Sequence, residues 1–284
     1  MDFIKKNHVF KKVMLIIITI CLSGFSNGIL NPQGDIAKKQ YHLILLSLGM
    51  MSCVVIPVII MTFYFVWKYR ESNVNSIYLP NWNYSKKIEF FIWSLPVFII
   101  FILSLVSWHS THALEPSKSI ISIHHPIKIE VVALDWKWLF IYPDYKIATI
   151  NKIVFPVNTP IKFNITSYSV MNSFFIPSLG SQIYAMKGMQ SKLNLISDHP
   201  GQYKGISANY SGEGFSGMKF SVIVADNYNI FYQWIKTVKN STVKISTIND
   251  FKRLLVPDKN HKTEYFSYIM PNLFIKILKN IDLI

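Results

Sequence analysis

Two apolar runs, Leu43 to Trp67 and Ile88 to Trp108, limit what this chain can become more than any other feature of it. A helix rising about 1.5 Å per residue needs about 20 apolar residues to cross a hydrocarbon core about 30 Å thick. Both runs reach that length. Each contains a proline, Pro57 and Pro96, of the kind that spanning helices tolerate as a kink. The first run ends in Phe63, Tyr64, Phe65, Trp67, Lys68, Tyr69 and Arg70, and the second in Trp108, residues that suit the boundary between lipid and water. The expectation is a transmembrane hairpin within residues 29–115, with spans at about 43–67 and 88–108.

Orientation follows from charge. The connection between the spans carries Lys68, Arg70, Lys86 and Lys87, which places it in the cytoplasm and both outer ends across the membrane. Lys38 and Lys39 oppose this weakly. Residues 1–28 have the build of an export signal: Lys5, Lys6, Lys11 and Lys12, then the apolar run Val13 to Leu22, then small residues Ser23, Gly24, Ser26 and Gly28. An uncleaved anchor is the alternative for this segment.

Composition narrows the function classes. In 284 residues the net charge is +14, yet Arg70 and Arg253 are the only arginines and no basic-aromatic cluster falls on one element, which argues against nucleic acid. The two cysteines, Cys21 and Cys53, both lie in apolar runs. The remainder therefore has no thiol for a disulfide, a zinc site or a nucleophile.

After Glu115 and Pro116 the pattern changes to short β-branched and aromatic runs: Ile127 to Ala133, Trp136 to Tyr142, Ile153 to Val157, Ile161 to Thr166, Lys192 to Ile196 and Lys219 to Val224. Strands at this spacing predict an antiparallel sandwich over residues 116–225. From Asp226, a possible helix cap, the period lengthens into a helical extension over 226–284, with helices through Ile230 to Ile235, Ile248 to Leu255 and Glu264 to Leu283, the last interrupted by Pro271. These helices look too apolar to stand alone and are expected to pack on the sandwich or on a partner subunit.

The stretch Gly205 to Met218 reads as turn, loop, then strand, and holds a GxGxxG match at Gly212, Gly214 and Gly217. It precedes a strand instead of opening a helix, so a phosphate-binding loop is the weaker reading. Glycines supplying positive-φ turns in a packed loop is the plainer one.

Four stretches carry a family resemblance: Thr111 to Lys118 (THALEPSK), Asp135 to Trp138 (DWKW), Val170 to Met186 (VMNSFFIPSLGSQIYAM) and Tyr210 to Phe220 (YSGEGFSGMKF). With two spans and an outer sandwich, the chain resembles subunit II of the haem-copper oxidases, in the cytochrome bo-type ubiquinol oxidase branch. The resemblance implies a membrane hairpin followed by an all-β cupredoxin-like sandwich in the periplasm of a bacterial inner membrane. Copper-bearing members hold a dinuclear centre, CuA, in this sandwich. Carried over by position, its ligands fall on Asn172, Ser207, Asn209, Ser211, Phe215 and Met218. Hydroxyls, amides and a phenyl ring cannot replace the thiolates and imidazoles that soft copper needs, so no cofactor is expected on this chain. Haems and copper are expected on subunit I.

The resemblance also singles out Glu89, which it places at the mouth of a proton channel leading into subunit I. From the residues alone Glu89 could equally be a helix-start acid favoured by the dipole, with Ser85 as cap. His109, His112, His124 and His125 could hold a metal, but no third convergent ligand is visible in the sequence and simple hydrogen bonding is the plainer reading. Asp135, Trp136 and Trp138 resemble the aromatic patch that receives cytochrome c in copper-bearing relatives, and without copper are expected to pack the sandwich or meet another subunit. Some relatives are lipoproteins with a Leu-Ser-Gly-Cys box, whereas here Leu22, Ser23 and Gly24 precede Phe25. The function implied is that of subunit II of a proton-pumping ubiquinol oxidase, with subunit I, further subunits and the membrane as partners and ubiquinol as the complex's substrate. The alternatives are a copper-bearing cytochrome c oxidase subunit and a membrane-anchored scaffold.

Overall fold

The computed structural model describes residues 28–73 and 81–281, so the signal and lipidation expectations fall outside the described residues. These residues divide into two compact units, residues 40–115 and residues 28–39 with 116–281.

The first unit is built on α1 (Asp35–Lys68) and α2 (Lys86–Ala113), both long and apolar enough to cross a membrane. Large apolar side chains are exposed along both, with Phe63 71% exposed, Phe91 73% and Trp108 72%. A helix apolar on all sides needs lipid or other helices around it. Hydroxyls within the spans are satisfied by the helix itself: Ser52 donates to the Leu48 carbonyl at 2.7 Å, Thr62 to Val58 at 2.8 Å and Ser104 to Ile100 at 2.8 Å. Ser85 occupies the cap position of α2, but its side chain makes no capping hydrogen bond.

The start of α1 belongs to the other unit. Lys38 pairs with Asp198 at 2.8 Å, and Gln33 exchanges backbone bonds with Ser178 and Asp198 at 2.8 and 2.9 Å. These contacts stitch residues 28–39 onto the sandwich.

The sandwich has strands β1 (Ile127–Leu134), β2 (Lys137–Tyr142), β3 (Ile147–Ile150), β4 (Lys152–Pro156), β5 (Ile161–Ser167), β6 (Asn172–Phe175), β7 (Ile183–Ala185), β8 (Ser191–Leu195), β9 (Gly201–Ser207), β10 (Lys219–Ala225) and β11 (Glu264–Phe266). They form a six-stranded sheet, β11-β3-β2-β1-β5-β8, and a five-stranded sheet, β4-β10-β9-β6-β7. The fold class is as expected, a membrane helical hairpin with a cupredoxin-like sandwich and C-terminal helices, but the sheets are not purely antiparallel. β1 runs parallel to β5 and β10 parallel to β4, because each pair is joined by a crossover that visits other strands first.

Alternation along the strands explains why both faces of the larger sheet are apolar. On β2, Trp138, Phe140 and Tyr142 point between the sheets, while Leu139 and Ile141 point outward, and all five are buried. The C-terminal region covers that outer face with Ile245, Phe251, Phe266, Ile269, Phe274 and Ile277, so the extension does pack on the sandwich.

Two expectations for this extension change and one holds. The helix α3 (Tyr228–Lys239) is capped by Asn227, whose Oδ1 accepts from the Ile230 amide at 3.0 Å, and not by Asp226. α4 (Ile248–Leu254) starts in a capping box between Thr247 and Asp250. The stretch Glu264 to Leu283 is not one helix: Glu264 to Phe266 form β11 against β3, and only α5 (Leu273–Lys279) is helical beyond Pro271. The open edge of β3 offers ladder partners that local helix propensity cannot match.

Candidate functional site

The six positions singled out by the family resemblance converge at one end of the sandwich. β6 begins with Asn172 and β9 ends with Ser207, and the two side chains meet in the interior. Ser207 Oγ donates to Asn172 Oδ1 at 3.1 Å, and Asn172 Nδ2 donates to the Val170 carbonyl at 3.1 Å. Asn172 is fully buried and Ser207 nearly so, so these bonds satisfy polar groups that would otherwise be costly to desolvate. Gly205 to Ser207 are therefore the end of a strand, not the turn expected from the sequence.

The rest of the loop closes over this pair. Ser207 Oγ also lies 3.4 Å from the Asn209 carbonyl, and Asn209 Nδ2 donates to the Met171 carbonyl at 3.2 Å. Ser211 Oγ lies 4.0 Å from Met218 Sδ, and Met218 is buried. A single 3-10 turn, Phe215–Gly217, carries the Phe215 ring to an edge contact with Tyr210, centroids 5.8 Å apart. The side chains available are two hydroxyls, two amides, a phenyl ring and one thioether. Among the described residues no group of three or more His, Cys, Asp or Glu could hold a metal. This donor set does not fit a copper centre.

The glycines serve close approach more than turning. Gly212 alone of the three has a positive φ, +100°. A Cβ on Gly214 would sit 2.3 Å from Trp136 Cδ2, and one on Gly217 would sit 2.3 Å from Asn260 Oδ1. Trp136 lies in the two-residue turn between β1 and β2 at φ 63°, with its Nε1 donating to the Ser211 carbonyl at 2.9 Å. Trp138 lies in the core, edge-on to Phe174 and Phe220 at 5.4 and 5.8 Å. Both rings thus pack within the sandwich, one of the two roles expected for them.

Sequence reasoning missed the residues behind Trp136. Lys137 is 3% exposed, its Nζ donates to the Val256 carbonyl at 3.0 Å, and burial holds its pKa below the usual lysine value against the opposing pull of Asp258, Glu264 and Asp135. Asn151 accepts from the Trp138 amide at 2.8 Å and donates to the His261 carbonyl at 2.8 Å. A lysine inside an otherwise apolar strand was the one available signal.

Glu89 sits in the first turn of α2 and is exposed, its amide donating to the Ser85 carbonyl at 3.0 Å. In the same helix His112 Nδ1 lies 2.8 Å from the Trp108 carbonyl, with the two rings 4.6 Å apart. In the other unit the His124 ring lies 5.4 Å from that of Tyr228.

Comparison with known proteins agrees with this architecture. Residues 145–225 match the family described as cytochrome c oxidase subunit II, periplasmic domain. The chain is 50% identical over 281 residues to the cytochrome bo(3) ubiquinol oxidase subunit 2 of Buchnera aphidicola subsp. Baizongia pistaciae, covering 99% of this chain and 98% of that one. It is 53% identical over 272 residues to the same-named protein of Buchnera aphidicola subsp. Schizaphis graminum, covering 96% and 94%. It is 46% identical over 261 residues to the ubiquinol oxidase subunit 2 of Acetobacter aceti, covering 91% and 84%. Likeness of this extent, over both apolar helices, the sandwich and its C-terminal cover, places the chain in the ubiquinol oxidase subunit 2 family.

Proposed function

We propose that this chain is subunit II of a proton-pumping ubiquinol oxidase of the aerobic respiratory chain, an oxidoreductase complex that oxidises ubiquinol and reduces dioxygen to water. The observation that carries this reading is the Ser207 to Asn172 hydrogen bond, 3.1 Å long and buried where a metal-bearing sandwich needs ligands. A loop closed by hydroxyl and amide has no redox-active group to accept an electron from a soluble protein donor. A membrane quinol, oxidised elsewhere in the complex, is the donor that remains. Haems and copper belong to subunit I in this reading, and this chain braces that subunit through its two spans.

The lysines and arginine between the spans support a reading with Glu89 at the cytoplasmic face and the sandwich in the periplasm. At that depth a carboxylate can take a proton from water and pass it inward, which is proton capture and not chemistry on a substrate. Glu89→Gln keeps the size and planar shape of the side chain but removes its charge and its ability to carry a proton. The expected result is an assembled complex with normal haem content whose ubiquinol-driven oxygen uptake falls by about 10²-fold, the low end of what loss of a positioned proton-transfer group costs. Unchanged uptake in such a complex would remove Glu89 from the pathway.

A further inference from the structure

The loop Ser211 to Met218 has little of its own to hold it. Three of its residues are glycines, which lose more backbone freedom on ordering than any other type. Its internal bonds are those of the short turn: Phe215 to Gly212, Gly217 to Gly214 and Met218 to Phe215, each 3.1 Å.

Its ends are held by Trp136 Nε1 on the Ser211 carbonyl at 2.9 Å and by the Ser207 amide on the Met218 carbonyl at 3.1 Å, and a distant part of the chain adds contacts to its middle. The connection between α4 and β11 crosses the loop and places the Asn260 side chain in the space left by the missing Cβ of Gly217. Beside it, Lys259 Nζ pairs with Glu213. The connection is itself tied down at both ends, by Lys137 Nζ on the Val256 carbonyl at 3.0 Å and by Asn151 Nδ2 on the His261 carbonyl at 2.8 Å. His261 Nδ1 lies 2.6 Å from Asp258 Oδ2 and stiffens the segment between them. Both anchors are rooted in the core strands, because Asn151 also receives the Trp138 amide and Lys137 follows the Trp136 that covers Gly212 and Gly214.

We propose that Val256 to His261 is a strap that fixes the shape of the loop Ser211 to Met218 from outside, with Asn260 as its contact residue and Lys137 and Asn151 as its anchors. This gives the C-terminal extension a task beyond covering the outer sheet face, and it holds whichever donor the complex uses. The strap meets the loop at Gly217 and Trp136 meets it at Gly212 and Gly214, so the loop keeps one conformation without a metal crosslink. The Lys259 to Glu213 pair adds little, because both side chains are largely exposed, 49% and 76%. The effect therefore rests on Asn260 and the two anchors.

Asn260→Gly isolates the side chain, since Asn260 is exposed at φ 57°, a conformation glycine adopts without strain. Hydrogen exchange read by mass spectrometry on the detergent-purified complex compares this variant, and Lys137→Met as a second, with the unsubstituted chain. Amides from Ser211 to Met218 are expected to exchange at least about tenfold faster in both variants, a change that corresponds to a factor of ten in an opening equilibrium, while amides of β1 and β9 keep their rates. Loop amides that exchange at unchanged rates while those of 256–261 speed up would overturn the proposal, as that result makes the strap a passenger on a self-supporting loop.

Discussion

A chain carrying Asn172→His, Ser207→Cys, Ser211→Cys and Phe215→His together is expected to bind copper, with strong visible absorbance that the parent sandwich lacks. The geometry already brings the substituted positions together. Ser207 touches Asn172 at 3.1 Å, Ser211 stands 4.0 Å from the Met218 sulfur, and the Asn209 carbonyl lies 3.4 Å from Ser207 Oγ. Soft thiolates and imidazoles in that arrangement suit copper, whereas the present hydroxyls and amides do not. Ser to Cys is nearly isosteric, so the main structural change falls at Phe215, whose ring is only partly buried and contacts Tyr210. Copper titration followed by absorbance and metal analysis reads the result. A variant that folds and still takes up no copper would refute the assignment of these positions as a former ligand set.

Trp138→Ala is expected to cost about 3–5 kcal/mol, a large fraction of the about 5–15 kcal/mol that holds a domain folded. The indole is fully buried between the sheets against Phe174 and Phe220, rings that themselves stack at 5.1 Å and 9°. Truncation leaves a cavity the rigid rings cannot collapse into. Trp138→Phe should be far milder, on the order of 1 kcal/mol, because the indole Nε1 has no hydrogen-bond partner among the described residues and its removal orphans nothing. Denaturant unfolding followed by near-ultraviolet circular dichroism separates the two. Equal losses for both substitutions would mean that the N–H, and not the ring volume, is what the core requires.

The architecture was legible where hydrophobic pattern was strong. The two long helices announced themselves by the length of their apolar runs, and β1, β2, β5 and β10 by short β-branched and aromatic runs, the strand ends falling within a residue of those observed. β9 was missed because its sequence GQYKGIS begins with glycine and puts Gly205 at an inward position, under the Phe220 ring. β6 was missed because Asn172 and Ser173 look like loop residues until Ser207 is known to complete them. The run from Glu264 onward has helical composition, and its first residues become a strand only because β3 presents an open edge.

The loop positions were readable from family spacing, since ligand spacing is a local property of the chain. How the residues at these positions bond to the rest of the chain was not. The Ser207 to Asn172 bond joins residues 35 apart, and the Lys259 to Glu213 pair joins residues 46 apart. No periodicity or motif encodes either, because both depend on how the sheets and the extension come together.

The most direct test of the central claim is to purify the membrane complex through a tag on this chain and to measure its optical spectrum with oxygen uptake under two donors. The account predicts haem absorbance from a co-purifying partner, oxygen uptake driven by ubiquinol and none driven by reduced cytochrome c. Uptake with cytochrome c, or a complex with neither haem nor ubiquinol-driven uptake, would contradict it.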